Sequence, residues 1–333
     1  RVSEATRKRI LEEAEKGGYW PNQLANALLA RRMRMIGVVH VNGYHQVIIR
    51  KLQRLVEEIE AAGYLPMVFD IGSHSGCERI CQFLRDLNLD ALVMLNPSSN
   101  HFTCNLYPKY LAGHVFSVAI DSPLRIGEAQ FNSDRRQGFG LVAEHLIRLG
   151  YRRFAMIGME IPPGIADPTF LHAYGFVTGV TEKIREAGLP DPVFDPFTRY
   201  AELKDNPHRG GELAMETMLE KGHRPEVVIC SNDSFAIGAL ASCHRLGLRV
   251  PEDIAITGFQ NEVQSRYSAP PLTTVDVPVD LMMREVVRYI DRHLAEKSPL
   301  KPEKERFVYP CSLVVRESCG VHLRNPLSKS LTP

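Results

Sequence analysis

Met35-Ile-Gly-Val-Val-His-Val41 is the first stretch of the chain whose reading is decisive. It is apolar and rich in β-branched residues, as a strand buried on both faces must be. An amphipathic helix is predicted directly after it, with Ile48, Leu52, Leu55, Val56 and Ile59 on one side and Gly63 as its stop. A buried strand followed by a one-faced helix is the repeating unit of a parallel α/β sheet.

The unit recurs along the chain. Leu65–Phe69, Leu92–Leu95 and Val115–Ile120 read as further strands, with helices near 77–87 and 103–111. Asp134 is positioned to cap a helix that turns Phe139, Val142, Leu146 and Leu149 inward. The order then starts again. Strands are predicted at Phe154–Ile157, near Val193–Phe194, at Val227–Cys230 and at Ile254–Gly258, with helices near 170–187, 209–221 and 234–246. An amphipathic helix follows over 280–294, and the tail beyond His322 is polar. Two runs of βα units predict an α/β protein with two doubly wound parallel-sheet lobes.

Composition narrows the function classes. At 333 residues the chain holds about two domains. Hydrophobic residues are 44% and charged residues 24%, an ordinary globular balance. No apolar run reaches the roughly 18 residues that a bilayer span requires. The chain begins Arg1-Val-Ser-Glu4, without a secretory h-region and without a start Met, so a further upstream segment and a cytoplasmic location are expected. The cysteines number seven, and only Cys77 and Cys81 are close, with no second pair to complete a zinc site. They read as reduced packing residues. No metal and no cofactor are called for.

Charge is unevenly placed. Residues 1–34 hold eight basic and four acidic side chains, a surplus of four in a chain whose net charge is +1. A basic end on a near-neutral body suits a polyanionic partner, or else a solvated helical face. A helix is expected over 4–16, capped by Ser3 and stopped by Gly17-Gly18. A second, short one from Gln23 to about Ala30 could hold only against a partner.

Enzyme motifs do not assemble. Gly138-Phe-Gly140-Leu-Val-Ala143 matches the dinucleotide fingerprint, but that chemistry needs the glycines at the strand-to-helix turn. Here they fall in the second turn of the helix that Asp134 caps, where they suit close packing. Gly72-Ser-His-Ser-Gly76 has His74 where a nucleophile elbow has serine. Polar residues do gather just past the predicted strand ends: Asn42 to His45, Asn96, Asp121-Ser122, Ser231-Asn-Asp233 and Gln260-Asn261. Ligands of open α/β sheets bind there, and helix capping needs the same residue types.

Several motifs, in order and spacing, resemble the LacI/GalR family of bacterial transcriptional repressors along nearly the whole chain. They include Val2-Ser-Glu-Ala-Thr-Arg7, Gly18-Tyr-Trp-Pro-Asn22, Ile36-Gly-Val-Val39 and His145-Leu-Ile-Arg-Leu-Gly-Tyr151. Gly175-Phe176, Ser231-Asn-Asp-Ser-Phe-Ala-Ile-Gly-Ala239, Leu246-Gly-Leu-Arg-Val-Pro-Glu-Asp253, Gly258-Phe259 and Pro271-Leu-Thr-Thr-Val275 complete the set. The resemblance implies a helix-turn-helix headpiece whose recognition helix would precede Arg1, then a hinge helix. It implies a two-lobed core like periplasmic sugar-binding proteins, a homodimer, operator DNA as partner, and a small-molecule effector between the lobes. Residues 1–33 would be headpiece remnant and hinge, 34–149 with 277–305 the N-terminal lobe, 150–276 with 306–322 the C-terminal lobe, and 323–333 a tail. The crossings would lie near 150, 277 and 306.

By the same resemblance Asn22, Ala25, Asn26, Leu28, Leu29 and Arg31 would meet DNA, with Leu28 as the minor-groove wedge. An apolar wedge that unstacks a base step, flanked by basic groups on phosphates, is physically apt. Asn26 stands where the family often has Arg. The effector set would be Tyr44, His45, Val47, Asp121, Gln137, His172, Asn232 and Gln260. Sugar-binding members usually have Arg where His172 stands and Asp where Gln260 stands, and His45-Gln-Val-Ile48 lacks their stacking rings. A permanent cation and an anion are thus replaced by a titratable ring and a neutral amide. The expected effector is a sugar-derived or other small polar metabolite, not a simple neutral hexose. A solute receptor that never touches DNA, and an enzyme on the same scaffold, are the alternatives.

Overall fold

In this computed structural model, residues 3–17, 34–40, 46–71, 76–97, 101–159, 171–197, 206–296 and 305–324 are described. Helix α1 (Glu4–Lys16) begins where Ser3 Oγ accepts the Thr6 amide. Thereafter strands and helices alternate. In the first half they are β1 (Met35–His40), α2 (Gln46–Ala61), β2 (Leu65–Asp70), α3 (Cys77–Asp86) and β3 (Ala91–Leu95). A π-helical turn, Phe102–Leu106, leads into α4 (Tyr107–Tyr110), followed by β4 (Ser117–Ile120), β5 (Ala129–Asp134) and α5 (Arg135–Arg148).

The second half has β6 (Phe154–Met159), α6 (Leu171–Glu186), β7 (Val193–Phe197), α7 (Pro207–Glu220), β8 (Val227–Cys230), α8 (Asp233–Arg245) and β9 (Ala255–Thr257). It closes with α9 (Val263–Tyr267), β10 (Thr274–Asp276), α10 (Val279–Glu296), β11 (Glu305–Pro310), β12 (Ser312–Val314) and α11 (Val321–Arg324). Among the described residues no helix is long and apolar enough to cross a membrane.

Two parallel sheets result. One is six-stranded in the order β11-β5-β4-β3-β1-β2, the other four-stranded in the order β7-β6-β8-β9. β1 and β3 are buried along their whole length, since helices cover both faces. The stripe read on α2 is largely the buried one: Leu55 and Ile59 lie in the core with Val38 and Val93, Leu52 packs against that core, and Ile48 is buried. Cys77 and Cys81 pack in a second cluster with Met94 and Phe102. A short antiparallel pair, β10 with β12, links the two sheets.

The crossings between lobes differ from those expected. The first lies at Asp134–Arg135, not near 150. β5 pairs with β4 and β11, whereas α5 packs against α6 of the other lobe, with Phe139 4.7 Å from Phe176 and 4.2 Å from Phe259. Glycine decides this contact: a Cβ on Gly179 would sit 2.3 Å from Arg136 O, and one on Gly138 2.9 Å from Phe259. The last crossing lies beyond Pro310, not near 306, because β11 runs in register with β5 and stacks Phe307 on Phe131. The middle one falls between β10 and α10.

Candidate functional site

The first crossing starts at a capped helix. Asp134 accepts the Gln137 amide at 2.9 Å, so α5 begins immediately after β5. Polar side chains stand just past the carboxyl ends of the strands, among them Asn96 after β3, Asp121 after β4 and Ser231 after β8. In sheets of this kind that is where ligands bind.

Lys51 and Asp121 form the central pair. Lys51 lies on the buried face of α2 and reaches Asp121 Oδ2 at 2.5 Å and Asn96 Oδ1 at 3.0 Å. Asp121 Oδ1 accepts both the amide and the hydroxyl of Ser133, at 2.7 and 2.8 Å. Both charged side chains are at most 3% exposed. The pair joins α2 to the ends of β3, β4 and β5. Asn96 and Asp121 hold left-handed backbone, φ 47° and 48°, a conformation their short polar side chains tolerate.

A second polar cluster surrounds Asp233 at the start of α8. Its carboxyl accepts Thr274 Oγ1 at 2.5 Å and the Glu262 amide at 2.7 Å. Burial pushes its pKa up to about 8, and burial raises Glu262 as well. A polar chain leads outward from here. Arg316 donates to Asn261 at 2.7 Å, Asn261 donates to Asp276 at 3.1 Å, and Arg50 of α2 reaches Asp276 at 3.2 Å. The chain spans the middle crossing.

Of the expected effector residues, the structure places Asp121 in that buried pair. Val47 is buried, at 6% exposure. Gln137 has its amide engaged with the backbone of Cys311, accepting at 3.0 Å and donating at 3.3 Å. Asn232 caps α8, accepting the Phe235 amide at 2.8 Å. Gln260 has φ 102°, a strained backbone for a residue with a side chain, in the loop that its amide ties to Val275 O. Tyr44 and His45 lie outside the described residues, as do Asn22, Ala25, Asn26, Leu28, Leu29 and Arg31. His172 belongs to α6.

Sequence reading missed Lys51, Arg135 and Asp276. For Lys51 a signal existed. It sits three residues after Ile48 and four before Leu55, a cation on the apolar face of its helix. Arg135 carried none beyond its place directly after the cap.

Comparison with known proteins places this geometry. Residues 143–319 match the family model described as a periplasmic binding protein-like domain. The chain is 28% identical over 307 residues to the HTH-type transcriptional regulator AscG of Escherichia coli (strain K12), covering 86% of this chain and 82% of that one. It is similar in structure to the transcriptional regulator CelR in complex with cellobiose, with a TM-score of 0.72, 23% identity, and coverage of 96% and 92%. It is also similar to the lac repressor dimer bound to operator and the anti-inducer ONPF, with a TM-score of 0.76, 18% identity, and coverage of 96% and 91%.

Proposed function

The chain belongs to the periplasmic-binding-protein-like family, among its LacI-type HTH transcriptional regulators, and on that premise we propose that it is a repressor whose hold on operator DNA is set by a small molecule between its lobes. It is a DNA-binding regulator and not an enzyme. One observation carries the mechanism: the lobes are joined by three crossings side by side, braced by Gln137 on Cys311 and by Arg50 on Asp276. A ligand held at the strand ends of both lobes would change their relative angle about that hinge.

Such control is a coupling free energy between cleft and DNA, typically about 1–3 kcal/mol. The hinge segment carrying Asn22, Ala25, Asn26, Leu28, Leu29 and Arg31 would take up the change as two copies pair on DNA. Tyr44, His45, His172, Asn232 and Gln260 would contact the effector. Asp121 would order the floor beneath it. The replacements at His172 and Gln260 support a sugar-derived or other small polar metabolite over a simple neutral hexose. A homodimer in the cytoplasm fits the same reading.

Operator selection tests it. The full-length gene product is used to enrich a random duplex pool at fixed physiological salt. A pseudo-palindrome with a pyrimidine–purine step at its centre is the expected result. Salt-sensitive binding with no consensus would make the basic end only a charged surface, and would turn the reading to a solute receptor.

A further inference from the structure

Arg135 is the first residue of α5, placed where the chain leaves the six-stranded sheet. It is 8% exposed. Nη2 donates to Ser231 O, just past the end of β8 in the other sheet, at 3.2 Å. The guanidinium lies over Phe259, 4.5 Å from the ring centroid, with Phe139 at 5.5 Å. Its Nε is buried and has no hydrogen-bond partner among the described residues. An arginine brings five donors and a permanent charge. Burying such a group with donors unspent is costly unless an anion meets it.

The acids nearby are already engaged. Asp121, whose field reaches Arg135, has its oxygens on Lys51 and Ser133. Asp134 caps α5, and Asp233 is held by Thr274 and Glu262. A second, independent group points to the same spot: Ser231 Oγ is also buried and unpartnered among the described residues. Room for it exists because residue 158 is glycine, where a Cβ would fall 2.7 Å from Ser231 Cβ. The first residue of the 14-residue α5 and the residue before the cap of the 13-residue α8 are thus hydrogen-bonded to each other. Both helix ends present positive partial charge.

We infer that Arg135 is the anion-binding residue of the cleft, and that the controlling small molecule carries a carboxylate or phosphate that Arg135 grips beside Ser231. The inference rests on the reading of the interlobe cleft as the effector site. It adds the charge of the ligand, which His172 and Gln260 leave open.

The test uses the 333-residue chain and four probes. They are inorganic phosphate at constant ionic strength, glucose, gluconate and glucose 6-phosphate, followed by thermal shift and calorimetry. Phosphate raises the Tm of the wild type, and one anionic sugar binds about tenfold or more tighter than glucose. A response to gluconate alone assigns a carboxylate, and one to glucose 6-phosphate alone a phosphate. Arg135→Gln abolishes these effects, while Arg136→Gln, at an exposed neighbour paired with Glu182, leaves them intact. Where Arg135→Gln fails to fold by circular dichroism, Arg135→Lys keeps the charge without the planar fork and shows a weakened response.

A wild type indifferent to phosphate and both anionic sugars overturns the inference. So does an anion response that survives Arg135→Gln, or one equally strong in Arg135→Lys. Failure here and failure of the regulator reading are separable. A consensus operator from an anion-indifferent protein removes only the role of Arg135. Anion binding at Arg135 without an operator removes the regulator and keeps the site.

Discussion

Gln137 holds the backbone of Cys311 from both sides, accepting its amide at 3.0 Å and donating to its carbonyl at 3.3 Å. The first residues of α5 are thus stitched to the segment between β11 and β12, and the first crossing to the third. Residues separated by 174 positions become one hinge through a single side chain. Gln137→Ala leaves both backbone groups without that partner. A loss of about 1–3 kcal/mol in urea unfolding is expected. Unchanged stability with altered ligand affinity would instead return Gln137 to the effector set.

The buried Lys51–Asp121 pair behaves as a unit. Lys51→Met leaves the Asp121 charge buried without its counterion, at a cost of about 3–5 kcal/mol. Asp121→Asn strands the ammonium in the same way. The double variant Lys51→Met/Asp121→Asn is less destabilised than the sum of the singles, because no unpaired charge remains. A denaturant double-mutant cycle reads the coupling, and additive singles would contradict the pairing.

Asp233 gives the fold a negative dependence on pH. Its carboxyl is raised from the ordinary 3.8 to about 8. Between about pH 4 and pH 8 the folded chain holds a proton there that the unfolded chain has released, so stability falls as pH rises across that window. Below it both states are protonated, and above it both are ionised. Glu262, raised in the same direction, adds to the slope. Asp233→Asn keeps the shape and hydrogen-bonding capacity but removes the proton. Unfolding free energies at a series of pH values should show a shallower slope for this variant than for the wild type.

Helix contacts at glycine set the spacing of the second lobe. A Cβ on Gly238 would lie 1.9 Å from His208 O, and one on Gly211 2.0 Å from Phe235 O, so α7 and α8 touch backbone to backbone. Gly238→Ala forces them apart, at a cost of about 1–3 kcal/mol or more. Gly76→Ala is the control. That residue precedes α3 at φ −115° with nothing within 4 Å of its added Cβ, and the change there stays within about 1 kcal/mol. Thermal unfolding of the two variants makes the comparison.

The elements that sequence reading identified are those whose burial is written in apolar periodicity. β1, α2 and β8 are examples, as is α5 with its Asp134 cap. β5 escaped it because Ala129-Gln-Phe-Asn-Ser-Asp134 is largely polar. That strand is nonetheless buried, since Asn132 accepts the Ser122 amide and the Ser133 hydroxyl donates to Asp121. β11 escaped for the opposite reason: it is an edge strand with alternate residues exposed. The crossing expected near 150 followed from assigning α5 to the strand before it, but the ring stacking of Phe139 on Phe259 decides otherwise.

By itself the sequence determined the succession of βα units, the caps and stops of their helices, and the family motifs that mark a regulator. Those depend on residues a few positions apart, where backbone preference and the periodicity of burial act directly. Tertiary structure alone decided where the chain passes between lobes, which polar residues are engaged in holding the hinge, and that Arg135 meets Ser231 with donors to spare. A polar side chain near a strand end reads the same whether it caps a helix, pairs with a buried charge or awaits a ligand. Only the distance to its partners, set by packing of elements remote in sequence, separates the three.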